Sequence, residues 1–164
     1  MRAARFHFEK DRLRWTSARA ALRVVLSRYL GIASADVVFV LGEHGKPFAA
    51  GGGVEFNLSH SGDWAMIAVS REIPVGVDIE AIRDNIDIAK LLTRMKEMDL
   101  PEGNTALFRR WTEREAKTKA AGMPLMVHPE ANVFTVGLQA PEGYAAAVAL
   151  VGALPEPIYC DGGL

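Results

Sequence analysis

The spacing of apolar residues changes period several times along the chain. From Thr16, TSARAALRVVLSRYLG sets Leu22, Val25, Leu26 and Tyr29 at helical spacing, with Thr16 or Ser17 as N-cap and Gly31 just past the end. This predicts a helix. VVFVLG then reads as a strand, and EHGKP as a turn whose proline stops further regular pairing. GGGVEFNLSHSGDWAMIAVSREIPVGVDIE contains three strand patterns, 54–58, 64–70 and 75–80, joined by SHSGD and REIP, and predicts an antiparallel meander. Helices are predicted at roughly 86–98 and 104–121, the second capped by Asn104 and closed by Gly122-Met123-Pro124. Strands near 132–138 and 144–151 finish the pattern. This order of elements suggests an α+β sandwich with helices on one side of antiparallel sheet.

The third strand pattern carries a puzzle. In PVGVDIE, Val75, Val77 and Ile79 alternate with Gly76, Asp78 and Glu80, so the two acids share one face while the other face is β-branched. Taken alone, the acids fit an exposed strand end. The predicted helix LFRRWTEREAKTKAAG offers them a partner, because Leu107, Trp111, Glu115 and Lys119 follow one another at one-turn spacing and a carboxylate and an ammonium continue an apolar line. By itself, Glu115–Lys119 also reads as an ordinary surface pair, worth ~0.2–0.5 kcal/mol. Brought together, Asp78, Glu80 and Glu115 would repel unless a cation lay among them, and a hard, all-oxygen donor set favours Mg²⁺. Such a site suits phosphate-ester chemistry, with Lys119 available to neutralise phosphate.

FNLSHSGDWA is the other candidate. A single histidine usually has a structural place, but His60 lies between two serines ahead of Gly62-Asp63, in a predicted turn with amides and hydroxyls available to an anion. A Ser-His-Asp hydrolase triad does not fit, because residues so close in sequence cannot form the relay and no G-x-S-x-G elbow exists. GGGV at 51–54 lacks the spacing of a phosphate loop and reads as a connector.

Composition narrows the partners. The 164 residues are enough for one ordinary domain or two small lobes. With 19 Lys and Arg against 20 Asp and Glu, the net charge of -1 gives no general field for nucleic acid or anionic membrane, so an anion must be caught locally. The single Cys160 excludes an intramolecular disulfide and a multi-cysteine metal site. A charged N-terminus without an apolar signal core, and no apolar run long enough to span a bilayer, imply a cytoplasmic protein; the sequon at Asn57-Leu58-Ser59 is then coincidental.

GKPF, FNLSHSGDWAMIAVS, VGVDIE and FRRWTEREAKTKAAG occur in the order and near the spacing seen in 4′-phosphopantetheinyl transferases, and the chain resembles the two-lobed, surfactin-synthetase-activating class of that family. The resemblance implies transfer of the 4′-phosphopantetheine arm of coenzyme A to a serine of an apo acyl or peptidyl carrier protein, with Mg²⁺. It also implies a pseudo-twofold pair of small α+β lobes with the site between them, an N-terminal lobe over 1–77 on the coenzyme A side and a C-terminal lobe over 78–164. By position, Asp78, Glu80 and Glu115 match the metal-binding carboxylates, Glu115 also matches a base, and Lys119 matches the catalytic, phosphate-contacting lysine. Arg14, Lys46, Ser59 and His60 match coenzyme contacts. Relative to the family, the N-terminus is expected to be shortened, with Arg2 and Arg5 standing in for basic contacts that precede the first helix. The alternative is a non-catalytic relative that binds coenzyme A or a carrier protein; a different Mg²⁺-dependent phosphotransferase is a third reading.

Overall fold

The computed structural model describes residues 8–42, 44–87, 91, 93, 102–123 and 132–160. Arg2 and Arg5 lie outside them. The first helix, α1, spans Glu9–Leu30 and so begins well before Thr16. Thr16 is interior, its hydroxyl donating back to Arg12 O at 2.7 Å. The early turns are polar and lack an apolar stripe, but Glu9 and Asp11 suit the positive end of the helix. Gly31 ends α1 in the left-handed region at φ 68°, its N–H donating to Ser27 O at 2.9 Å. Leu22 and Leu26 are fully buried against Val37, Ala49, Val54 and Phe56, whereas Tyr29 stays exposed.

β1 (Phe39–Leu41) and β2 (Pro47–Ala49) form a small antiparallel hairpin. Pro47 therefore opens a strand instead of stopping the pairing; at the first position of a short strand its missing N–H costs little. β3 (Glu55–Ser61) and β4 (Trp64–Ser70) form a second hairpin, paired out to Ser61↔Trp64. The turn is thus Gly62-Asp63 alone, and Ser59 and His60 belong to the strand. At Gly62, φ is 58° and an added Cβ would sit 2.5 Å from the Tyr144 hydroxyl, so the turn has no room for a larger residue.

β5 (Val75–Ala81) does not continue the meander. It pairs antiparallel with β7 (Tyr144–Val151), which also carries β6 (Val133–Gly137), giving the order β5-β7-β6. The exposed edge of β5 faces β3, whose side chains satisfy it. Val77 N–H donates to Asn57 Oδ1 at 3.0 Å, Ile79 N–H to Ser59 Oγ at 3.4 Å and Ala81 N–H to Ser61 Oγ at 3.0 Å. This ladder of every second side chain closes a sheet edge and joins two sheets with no strand pairing between them.

The second described helix, α2 (Gly103–Ala120), lies on β5 and β7 through small residues. Ala116 and Ala120 pack with Ala147 and Ala149. Gly76 is in tighter contact: a Cβ there would fall 2.1 Å from Ala116 O and 2.3 Å from Ala120 N. Asn104 is inside the helix and does not cap it; its amide donates to Arg83 O at 3.3 Å and Asp84 Oδ1 at 3.0 Å. Gly122, at φ 65°, and Met123 close the last turn through Lys119 O and Thr118 O. Most of the helix expected over 86–98 lies outside the described residues, as does Pro124; Leu91, whose N–H donates to Asp87 O at 3.0 Å, is buried beside Leu107 and Trp111. The architecture is α+β, with helices and small antiparallel sheets. No helix among the described residues is long and apolar enough to cross a membrane.

Candidate active site

Close packing of α2 on β5 brings the two motifs together. Lys119 Nζ donates to Asp78 Oδ1 at 2.6 Å, to Ser59 Oγ at 3.0 Å and to Val77 O at 3.2 Å. Ser59 Oγ in turn donates to Asp78 Oδ1 at 2.8 Å. Two positions along β5 the pattern recurs: Ser61 Oγ donates to Glu80 Oε2 at 3.0 Å, and Arg83 reaches the same oxygen at 3.5 Å. Glu115 is buried on α2, one turn before Lys119, with Leu107 and Trp111 buried further along the same line. The β5 strand, whose acids taken alone fit an exposed strand end, is buried on both faces from Val75 to Ile79.

Burial sets the electrostatics. Asp78 is only 3% exposed, and loss of solvent pushes its carboxyl above the ordinary range despite the opposing pull of Lys119, Ser59 and the Ile79 N–H. Glu80 is raised first by burial and then by the like charge of Asp78, with Ser61, Arg83 and Lys119 opposing. Asp78 Oδ2 is buried and has no hydrogen-bond partner among the described residues. A buried carboxylate oxygen without a donor is costly unless something cationic meets it. No group of three or more His, Cys, Asp and Glu side chains placed to hold a metal is present among the described residues. Asp78 and Glu80 nevertheless offer hard oxygens in a site where burial penalises negative charge, and that chemistry fits Mg²⁺.

A pH dependence follows from these shifts. Both acids titrate above their unfolded values, so between the unfolded and folded values the folded state holds more protons and stability falls as pH rises. Glu80→Gln removes one of the two contributions. In the absence of metal its urea midpoint is expected to fall less steeply than the parent's from about pH 4 upward; parallel pH profiles would show that Glu80 is not held in this environment.

The other site candidates lie elsewhere. His60 is exposed on the face of β3 opposite Ser59 and Ser61. Arg14 crosses from α1 to the β3–β4 turn, its Nε donating to Asp63 Oδ1 at 2.7 Å and its Nη1 to Asp11 at 3.3 Å. Lys46 Nζ donates to Val75 O at 3.2 Å and Ala120 O at 3.3 Å, tying the first hairpin to the start of β5 and the end of α2. Burial lowers its ammonium below the usual lysine range, with Glu55 opposing. It borders a cavity of about 470 Å³ also lined by Phe48, Glu55, Gly122 and Met123. Asn57 and Ser61 are the residues that sequence reasoning missed. Their signal was the alternation Asn57, Ser59, Ser61, hidden because SHSGD reads as a turn.

A partly buried lysine beside a buried carboxylate and hydroxyl at a helix–sheet contact can neutralise negative charge locally, and comparison with known proteins shows what the chain resembles. Residues 1–72 match the family described as 4′-phosphopantetheinyl transferase, N-terminal. The 4′-phosphopantetheinyl transferase HetI of Nostoc sp. is 37% identical over 134 residues, 74% of this chain and 56% of the relative. AcpT of Salmonella typhimurium, also a 4′-phosphopantetheinyl transferase, is 42% identical over 110 residues, 61% of this chain and 56% of its own. Sfp of Bacillus subtilis, another 4′-phosphopantetheinyl transferase, is 30% identical over 129 residues, 74% of this chain and 57% of the relative. The chain belongs to the 4′-phosphopantetheinyl transferase family. It spans just over half the length of these curated relatives.

Proposed function

We propose that this chain transfers the 4′-phosphopantetheine group of coenzyme A to a serine of an apo acyl or peptidyl carrier protein, as a cytoplasmic, Mg²⁺-dependent enzyme of the two-lobed, surfactin-synthetase-activating class. The named activity of its relatives points to the reaction. The observation that carries the site is Asp78 Oδ2, buried and without a hydrogen-bond partner among the described residues, beside Lys119 and Ser59. In this reading Asp78, Glu80 and Glu115 would hold Mg²⁺ once the ion draws the three carboxylates together, and the lobes over 1–77 and 78–164 are related by a pseudo-twofold axis. When bound, Mg²⁺ neutralises the pyrophosphate of coenzyme A.

The chain's own residues supply the rest. Glu115 takes the proton of the carrier serine as its oxygen bonds to the β-phosphorus, and the bond to the departing 3′,5′-adenosine bisphosphate breaks with its electron pair leaving on that group. Lys119, held by Asp78, Ser59 and Val77 O, is positioned to turn to a phosphate oxygen. Ser59, His60, Lys46 and Arg14 bind coenzyme A, with His60 doing so from the exposed face of β3. Positioning and charge neutralisation account for most of the rate, and the base for ~10²–10⁴-fold.

Incubation of the protein with coenzyme A, Mg²⁺ and an apo carrier protein, read by intact mass, tests the proposal. The carrier is expected to gain one phosphopantetheine, and not when Mg²⁺ is chelated. Binding of coenzyme A with no gain in carrier mass would leave a binding module; a gain insensitive to chelation would remove the metal.

A further inference from the structure

We propose that Ser61 is a positioning residue for Glu80: its hydroxyl, anchored by a backbone amide of β5, fixes the carboxylate in the orientation in which it meets the cation, an inference that rests on the reading above. A serine hydroxyl has one proton and two lone pairs. The Ala81 amide can only donate, so at 3.0 Å it occupies a lone pair of Ser61 Oγ and the hydroxyl proton is directed to Glu80 Oε2, also at 3.0 Å. One residue pair earlier the arrangement repeats, with the Ile79 amide 3.4 Å from Ser59 Oγ and that hydroxyl 2.8 Å from Asp78 Oδ1. In each case the acid directly precedes the amide that anchors its serine. Two hydroxyls on β3 thereby set the orientation of two acids on β5.

The two acids do not depend on this device equally. Asp78 has a short side chain, 4% exposed and held by Lys119 as well. Glu80 has one more rotatable bond and a side chain 25% exposed, and its other partner among the described residues, Arg83, is 57% exposed and 3.5 Å away. An exposed pair of that kind holds a carboxylate weakly. Ser61 is the partner that defines where Glu80 points.

Ser61→Ala and Ser61→Thr test this, with Mg²⁺ titrated by calorimetry into protein saturated with coenzyme A. Loss of an outer partner of a metal ligand typically weakens metal binding ~10–100-fold. Ser61→Ala is expected to bind Mg²⁺ ~10-fold more weakly or worse, and Ser61→Thr, which keeps the hydroxyl, to recover most of the loss. In transfer assays the half-saturating Mg²⁺ concentration should rise by more than the rate at saturation falls. A purely structural serine gives another result: Ser61→Ala would lower the urea midpoint and bind Mg²⁺ like the parent, which overturns the proposal while the metal reading stands. Absence of Mg²⁺ uptake by the parent would instead overturn the reading itself, and the positioning role with it.

Discussion

Asp78→Asn is expected to lower phosphopantetheine transfer ~10²–10³-fold, the usual cost of removing one group that faces developing charge, while the protein remains folded. The substitution keeps volume and an oxygen acceptor for Ser59 but removes the charge. Stability should change little for a reason visible in the site. Breaking a buried ion pair costs ~3–5 kcal/mol where the remaining charge is stranded. Lys119 is not stranded, because its side chain is 26% exposed and it keeps Ser59 Oγ and Val77 O as partners. Asp78 also carries a burial penalty of its own, which Asn escapes. Intact-mass assays and a thermal melt of the same variant check the two halves separately. Full turnover would take Asp78 out of the chemistry; a collapse of the melt would make it a structural residue first.

Gly76→Val should unfold the contact on which the site depends. Gly76 shares a face with Asp78 and Glu80, and a Cβ placed 2.1 Å from Ala116 O and 2.3 Å from Ala120 N meets backbone that cannot rotate away. Overpacking a core contact costs ~1–3 kcal/mol where side chains can adjust, and more where backbone must move. A loss of ~3 kcal/mol lowers the melting temperature of a chain this size by roughly 6–12 °C. Activity should fall further than stability alone explains. Displacing α2 from β5 moves Lys119 away from Asp78, and a shift of about 1 Å in reacting groups can cost ~10²-fold. Gly76→Ala is the milder test with the same direction. A Gly76→Val protein with parental melting temperature would show that α2 does not sit this close to the strand.

Much of this molecule is set by patterns local in sequence. Alternation in VGVDIE puts Asp78 and Glu80 on one face, and one-turn spacing puts Leu107, Trp111, Glu115 and Lys119 on one line. Both hold in the structure because side-chain direction depends only on the backbone period. The strands expected at 64–70, 75–80 and 144–151 are present to within one residue, as is Gly31 at the end of α1. Where the pattern misled, a local signal had more than one physical solution. Thr16 reads as a cap yet bonds back to Arg12 O inside a longer helix. SHSGD reads as a turn because serine, glycine and aspartate are its usual residues, yet pairing with β4 draws Ser59, His60 and Ser61 into a strand.

Only the tertiary structure chose the partners. Period two identifies the face of β5 but not its neighbour, and β7 takes the place expected for β4 because the small side chains of Ala145 to Ala149 let α2 lie across both strands. The free edge of β5 then meets the polar side of β3. From that follow the features invisible in the sequence: Lys119 on Asp78, Ser61 on Glu80, and His60 turned to the opposite face. Residues 59, 78 and 119 are far apart in the chain, and their hydrogen bonds exist only because three elements pack at one register. Sequence period determined which side chains point the same way; long-range packing decided what they point at.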